Sequence, residues 1–190
     1  MKNLSFVELC ELVQERGFKT ITLDVDGTLY PMGQMKRRWW GAFVRSPGKA
    51  LRFYQIKKAW EKRRKGKGDV SVAPEDVIFF EEFLVSLMDT ELVPFEIRDW
   101  IRELNDCGVK VYFLSDHGTE RKIEKLDFVA LGTPINCLGE TGELKPHAKI
   151  STLLKEKFRV DPKSHLHVGD RWTDEEQARL MGCEFRYLRP

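Results

Sequence analysis

An α/β fold, a doubly wound parallel sheet carrying a small helical insert, is what the order of segments along this chain predicts. Three observations lead there. Outside residues 31–92, short β-branched or apolar runs alternate with amphipathic helical stretches, the pattern of a parallel sheet covered on both faces. Each clear run stops abruptly in polar residues, at Asp24-Val25-Asp26, at Ser115-Asp116 and at Gly169-Asp170. Residues 31–92 interrupt the alternation with a basic, aromatic and largely helical texture.

The elements follow in order. Ser5-x-x-Glu8 has the form of a capping box and predicts a helix to about Arg16, closed by Gly17. Residues 20–25 (TITLDV) are a β-branched run of strand length. In the insert, Phe53, Ile56 and Trp60 share a helical face among cations, Gly66-Lys67-Gly68 forms a turn, and Pro74-Glu75-Asp76 opens another helix. After Pro94 comes a helix ended by Gly108, a strand over 109–115, a short helix over 119–126 and a strand at 127–131. A glycine-rich, turn-like stretch over 138–146 leads into a helix over 148–158, and 165–169 is a third clear strand. Thr173-x-x-Glu176 caps the next helix, and Gly182 precedes a last strand over 183–188.

Composition narrows the class. Of 190 residues, 42 % are hydrophobic and 33 % charged, enough apolar material for a core and too much for a disordered chain. No run approaches the roughly 20 apolar residues that cross a bilayer, and the N-terminus lacks a signal-peptide apolar region, so a cytoplasmic protein with no membrane partner is expected. Cys10, Cys107, Cys137 and Cys183 are widely separated, which argues against zinc or disulfides and for small core residues. Residues 31–68 hold thirteen Lys or Arg against one acid, Glu61; this local charge of +12 leaves −10 on the rest. Two lobes follow, 1–30 with 93–190 and 31–92.

In parallel sheets, ligands bind at the carboxyl ends of strands. Asp24 and Asp26, two apart, project to one side as the chain leaves the sheet, and a divalent cation relieves such carboxylate pairs. Gly27 permits a sharp turn close to a ligand. Ser115-Asp116 and Gly169-Asp170 end the other two clear strands, Lys145 stands before Pro146 ahead of a helix, and Asp174 lies four residues after Asp170 in the first turn of the capped helix. An oxygen-rich set suits Mg²⁺ rather than zinc, while a lysine and a hydroxyl suit a transferring phosphoryl group.

In order along the chain, DVDGT at 24–28, the strand ending at Ser115, Lys145 in GELKP and VGDRWTDE at 168–175 resemble the four motifs of the haloacid dehalogenase superfamily of phosphohydrolases. The resemblance spans nearly the whole chain outside the insert, which stands where members carry a helical cap over the site. It implies that Asp24 attacks phosphorus to form an aspartyl-phosphate, with Asp26 as general acid and then base. Gly27, Thr28, Ser115, Asp116 and Lys145 would hold the substrate phosphate. Asp24, Asp26 through its backbone carbonyl, and Asp170 would bind Mg²⁺, and Asp174 would orient a metal-bound water or Lys145. True dehalogenases lack an acid two residues after the nucleophile, so Asp26 points to phosphate chemistry, with a mutase as the close relative. Motif two reads Ser-Asp-His and motif four Asp-Arg-Trp, departures that remove no catalytic atom.

The expected activity is Mg²⁺-dependent hydrolysis of a phosphate monoester, on a small phosphorylated metabolite. The alternatives are a phosphatase of a nucleic-acid end or another polyanion docked on the basic cap, and a silent anion-binding module. Arg37-Arg38-Trp39-Trp40 and Arg52-Phe53-Tyr54 interleave cations with aromatics in the manner of polyanion binders, although most of these aromatics read as the cap's own core. His165 and His167 alternate along a strand and read as packing residues, while His117 and His147 flank the motifs in a supporting role. Arg171 and Trp172 are candidates to gate the site.

Overall fold

The computed structural model describes residues 5–65 and 72–188, so the expected turn at Gly66-Lys67-Gly68 lies outside the described residues. The chain divides into two compact units, Met1–Pro31 with Thr90–Pro190, and Met32–Asp89.

The first unit is a five-stranded, all-parallel sheet among the described residues, with order β3-β2-β1-β4-β5. Its strands are β1 (Thr20–Asp24), β2 (Lys110–Ser115), β3 (Thr133–Asn136), β4 (His165–Gly169) and β5 (Glu184–Tyr187). Every residue of β1 and β4 is buried, the threonines and histidines that alternate with the apolar residues included, as expected of central strands covered on both faces. The chain winds outward from β1 to β2 and β3, then crosses to β4 and β5, so the topological switch falls between β1 and β4. Ligands of such sheets sit there.

α1 (Phe6–Arg16) forms as its sequence dictates. The Ser5 hydroxyl accepts from the Glu8 N–H at 3.2 Å, Glu8 Oε2 accepts from the Ser5 N–H at 2.8 Å, and Gly17 closes the helix at φ +66°. Its partner α5 (Phe95–Asp106) buries Ile97, Trp100, Ile101 and Leu104, the spacing of one helical face. β2 serves two cores by its alternation. Tyr112 and Leu114 join Ile135, Met181 and residues of α8 (Ala148–Glu156), while Phe113 stacks on Phe128 at 5.8 Å.

Three segments differ from expectation. Residues 127–131 form turns, and the edge strand lies later, at β3. Asp127 has φ +59°, and the N–H of Leu131 donates to the carbonyl of Phe128 at 2.9 Å. This segment is apolar because Phe128 and Leu131 are buried anchors beneath a turn, which periodicity cannot separate from a short strand. The glycine-rich stretch after β3 contains a short helix, α7 (Cys137–Thr141), capped by the Asn136 side chain. In α9 (Trp172–Met181), Thr173 is buried inside the first turn, and Asp174 Oδ2 takes the Arg171 N–H at 3.2 Å. Cys107 is also exposed rather than in the core, whereas Cys10 and Cys137 are buried; all four cysteines are free thiols.

The second unit holds α2 (Met32–Arg45), α3 (Pro47–Arg64) and α4 (Pro74–Ser86). Phe53 stacks on Phe80 at 4.4 Å, Trp60 meets Phe80 edge-on at 4.5 Å, and Arg52 pairs with Asp76. These aromatics are the unit's core. Trp40 and Tyr54 instead remain exposed, with Lys58 over the Tyr54 ring. No helix among the described residues is long and apolar enough to cross a membrane.

Candidate active site

The site grows from the turn after β1. The Tyr30 N–H donates to the Val25 carbonyl at 3.0 Å, and the Gly27 N–H donates to the Tyr30 carbonyl at 2.8 Å. This folds Asp24-Val25-Asp26-Gly27-Thr28 into a tight corner at the sheet's centre. Gly27 sits at φ +100°, and a Cβ there would lie 2.3 Å from Asp170 Oδ2. A second close approach is at Gly169, where a Cβ would fall 2.4 Å from Asp174 Cβ. Only glycine at both places lets β1 and β4 bring their acids together.

Asp24 is buried, its carboxylate taking the Lys145 ammonium on Oδ1 at 2.5 Å, with the Thr28 hydroxyl 3.4 Å from Oδ2. The same Lys145 Nζ donates to Asp174 Oδ1 at 2.6 Å. Asp116 Oδ1 in turn holds the Lys145 backbone N–H at 2.8 Å, so this acid fixes the loop that delivers the lysine. Carboxylate oxygens of Asp24, Asp170 and Asp174 all lie within 4.8 Å of one another. Arg171 Nε stands 3.6 Å from Asp170 Oδ1.

One lysine cannot satisfy this much buried negative charge. Burial, with Asp174 and Asp26 adding repulsion, pushes the Asp24 carboxyl well above its usual range despite Lys145. At Asp174 burial also opposes ionisation, but Lys145 and then His167 outweigh it and hold the carboxyl below the usual range. Lys145 itself is raised: burial disfavours its charge, yet Asp174 and Asp24 overcome that. Crowded all-oxygen acids of this kind fit a hard divalent cation.

Asp26 has a separate cradle. Its Oδ2 receives the Ser115 hydroxyl at 3.1 Å and the Lys122 ammonium at 2.5 Å, and Lys122 also donates to Ser115 Oγ at 2.8 Å. Oδ1 has no hydrogen-bond partner among the described residues. Burial works against the Asp26 charge, but Lys122, helped by Arg171 and Ser115, lowers its pKa.

Beneath the acids runs a buried row in which register pairs Thr20 with His165 and Thr22 with His167. The Thr20 hydroxyl lies 2.7 Å from His165 Nδ1, and the Thr22 hydroxyl bridges His165 Nε2, at 3.0 Å, to His167 Nδ1. Burial, reinforced by His167, lowers the His165 pKa from 6.5 to about 3. The unfolded chain therefore takes up a proton that the folded chain refuses. The stability contributed is complete above pH 6.5 and is lost as pH falls toward 3. Denaturant unfolding should show a loss of about 2 kcal/mol from this group between pH 7 and pH 5. The slope should flatten in His165→Gln, and an unchanged slope in that variant would refute the assignment.

A family model of haloacid dehalogenase-like hydrolases matches residues 18–182. The chain belongs to this family. Among solved structures, this haloacid dehalogenase-like chain resembles CbbY from Rhodobacter sphaeroides in complex with phosphate, with TM-score 0.64 and 19 % identity over 90 % of this chain and 85 % of that one. It also resembles YfnB from Bacillus subtilis bound to magnesium, with TM-score 0.66 and 15 % identity over 88 % and 87 %. A third is L-2-haloacid dehalogenase from Xanthobacter autotrophicus, with TM-score 0.60 and 15 % identity over 88 % and 76 %. No curated protein sequence matches the chain.

In this haloacid dehalogenase-like hydrolase, the structure gathers Asp24, Asp174 and Lys145 as one buried group, with the half-buried Asp170 against it and Asp26 with Ser115 beside it. Thr28 and Ser115 turn their hydroxyls to Asp24 and Asp26, and Asp116 turns a carboxylate oxygen to the Lys145 backbone. Sequence reasoning missed Lys122 on α6 (Thr119–Lys125). Its signal was available, since Lys122 shares the helical spacing of Thr119, Ile123 and Leu126, a buried stripe where an unpaired charge would not be stable.

Proposed function

We propose that the chain is a Mg²⁺-dependent phosphatase that hydrolyses a phosphate monoester of a small metabolite through an aspartyl-phosphate on Asp24. The observation that carries this reading is the pairing of two differently served carboxylates at one strand end. Asp24 lies in the acidic cluster against Lys145, and Asp26 is held by other donors with one oxygen unengaged. A nucleophile and a proton carrier two residues apart are what phosphoester hydrolysis needs, whereas a departing halide needs no proton.

Asp26, ionised in the free site, takes up a proton as the phosphate dianion binds beside it; an Asp24 oxygen then attacks phosphorus as the bond to the leaving oxygen breaks, and Asp26 delivers that proton there. Asp26 then takes a proton from water, which attacks the phosphorus of the aspartyl-phosphate and frees Asp24 and inorganic phosphate. Lys145 offsets charge on the phosphoryl oxygens, with Gly27, Thr28, Ser115 and Asp116 lining the same corner. Asp24, Asp170 and the Asp26 carbonyl would hold the cation, with Asp174 set against Lys145. When bound, Mg²⁺ supplies the positive charge that lets a phosphate dianion approach these acids.

The test is inorganic phosphate release from a panel of aryl, sugar and nucleoside phosphates, with Mg²⁺ and with a chelator in its place. Release that requires the metal is expected, and free phosphate separates hydrolysis from a mutase's transfer. Failure of every ester in the presence of Mg²⁺ would leave the chain as an anion-binding module.

A further inference from the structure

Lys122 is not accounted for by the reaction just described. Its side chain is 0 % exposed, and a buried ammonium is costly unless something repays its desolvation. An aliphatic residue would fill position 122 on the stripe of α6 at no such cost. The partners shown for the charge are Asp26 Oδ2 at 2.5 Å and Ser115 Oγ at 2.8 Å, and Ser115 donates to the same Oδ2 at 3.1 Å. The three groups form a closed triangle around one carboxylate oxygen.

A free carboxylate turns about its terminal bond and offers either oxygen, since that torsion is broad and two-fold. Lys122 and Ser115 both grip Oδ2 and oppose that rotation, which leaves the buried Oδ1, without a hydrogen-bond partner among the described residues, as the oxygen to carry a proton. We infer that Lys122 is a positioning residue for proton delivery, locking Asp26 so that Oδ1 faces the departing oxygen of the substrate. The inference rests on the phosphatase reading and deepens it. Lys145 and Lys122 thereby divide the work, one serving the nucleophile and the other the acid.

A leaving-group comparison tests this. A nitrophenyl phosphate releases a stabilised phenolate that needs no proton, whereas an alkyl phosphate releases an alkoxide that does. The ratio of their kcat/KM values reports the proton-delivery step. In Lys122→Met, kcat/KM for the alkyl ester should fall about 10²-fold or more and that for the nitrophenyl ester only a few-fold. Lys122→Arg, which keeps the charge, should recover part of the alkyl activity. Because both substrates meet the same preparation, a partly unfolded variant scales both values equally and leaves the ratio untouched. An unchanged ratio in Lys122→Met and Lys122→Arg, with wild type active, would overturn the role of Lys122 alone. A wild type idle on both esters would overturn the phosphatase reading, and this inference with it.

Discussion

Asp24→Asn should lower phosphate release by about 10⁴-fold or more while leaving the fold intact, because an amide of nearly the same shape cannot attack phosphorus. The side chain stays inside the same corner, with an amide oxygen still able to accept from Lys145 or Thr28. Stability should hold or rise. Burial and the neighbouring Asp174 and Asp26 already disfavour an ionised Asp24, so exchanging it for a neutral amide relieves repulsion. The measurement is phosphate release beside thermal unfolding of the same preparation. Activity within tenfold of wild type would remove Asp24 as nucleophile. A lost fold with lost activity would instead make the residue structural.

Much of this arrangement was legible in the sequence, for a physical reason. β1, β2 and β4 are central strands, and the β-branched or apolar residues of each run up to a polar residue that marks the edge where ligands bind. Asp24, Asp26, Ser115 and Asp170 could be placed by that logic, and Gly27 by the need for a close turn. Less could be read where spacing carries two meanings. Phe128 and Leu131 are as apolar as strand residues yet anchor a turn, and the real edge strand at 133–136 contains Thr, Pro and Asn. Contacts between strands were hidden for another reason. The threonines at 20 and 22 meet His165 and His167 only through the parallel register of β1 with β4, some 145 residues apart along the chain. Lys122 lay between these cases, since a charge on an apolar stripe signals a buried partner without saying which.

The largest stability effect should come from Lys145→Met. Lys145 Nζ is the cation between Asp24 Oδ1 and Asp174 Oδ1, and all three side chains are at least nine-tenths buried. Removing one member of a buried ion group leaves uncompensated charge, which costs about 3–5 kcal/mol. For a chain of this length each kcal/mol lowers Tm by about 2–4 °C, so a drop on the order of 10 °C is expected, with phosphate release lost as well. Methionine matches the lysine stem in volume, which separates the effect of charge from that of a cavity. The cause can be isolated further by adding Asp174→Asn to Lys145→Met. If unpaired negative charge is what destabilises the variant, the double change should recover a substantial part of the loss, because one buried carboxylate then no longer needs its cation. A double-mutant cycle reads that recovery as a coupling of opposite sign to the loss. Simple additivity of the two substitutions would show that Lys145 acts through packing and that the acids are balanced by other groups.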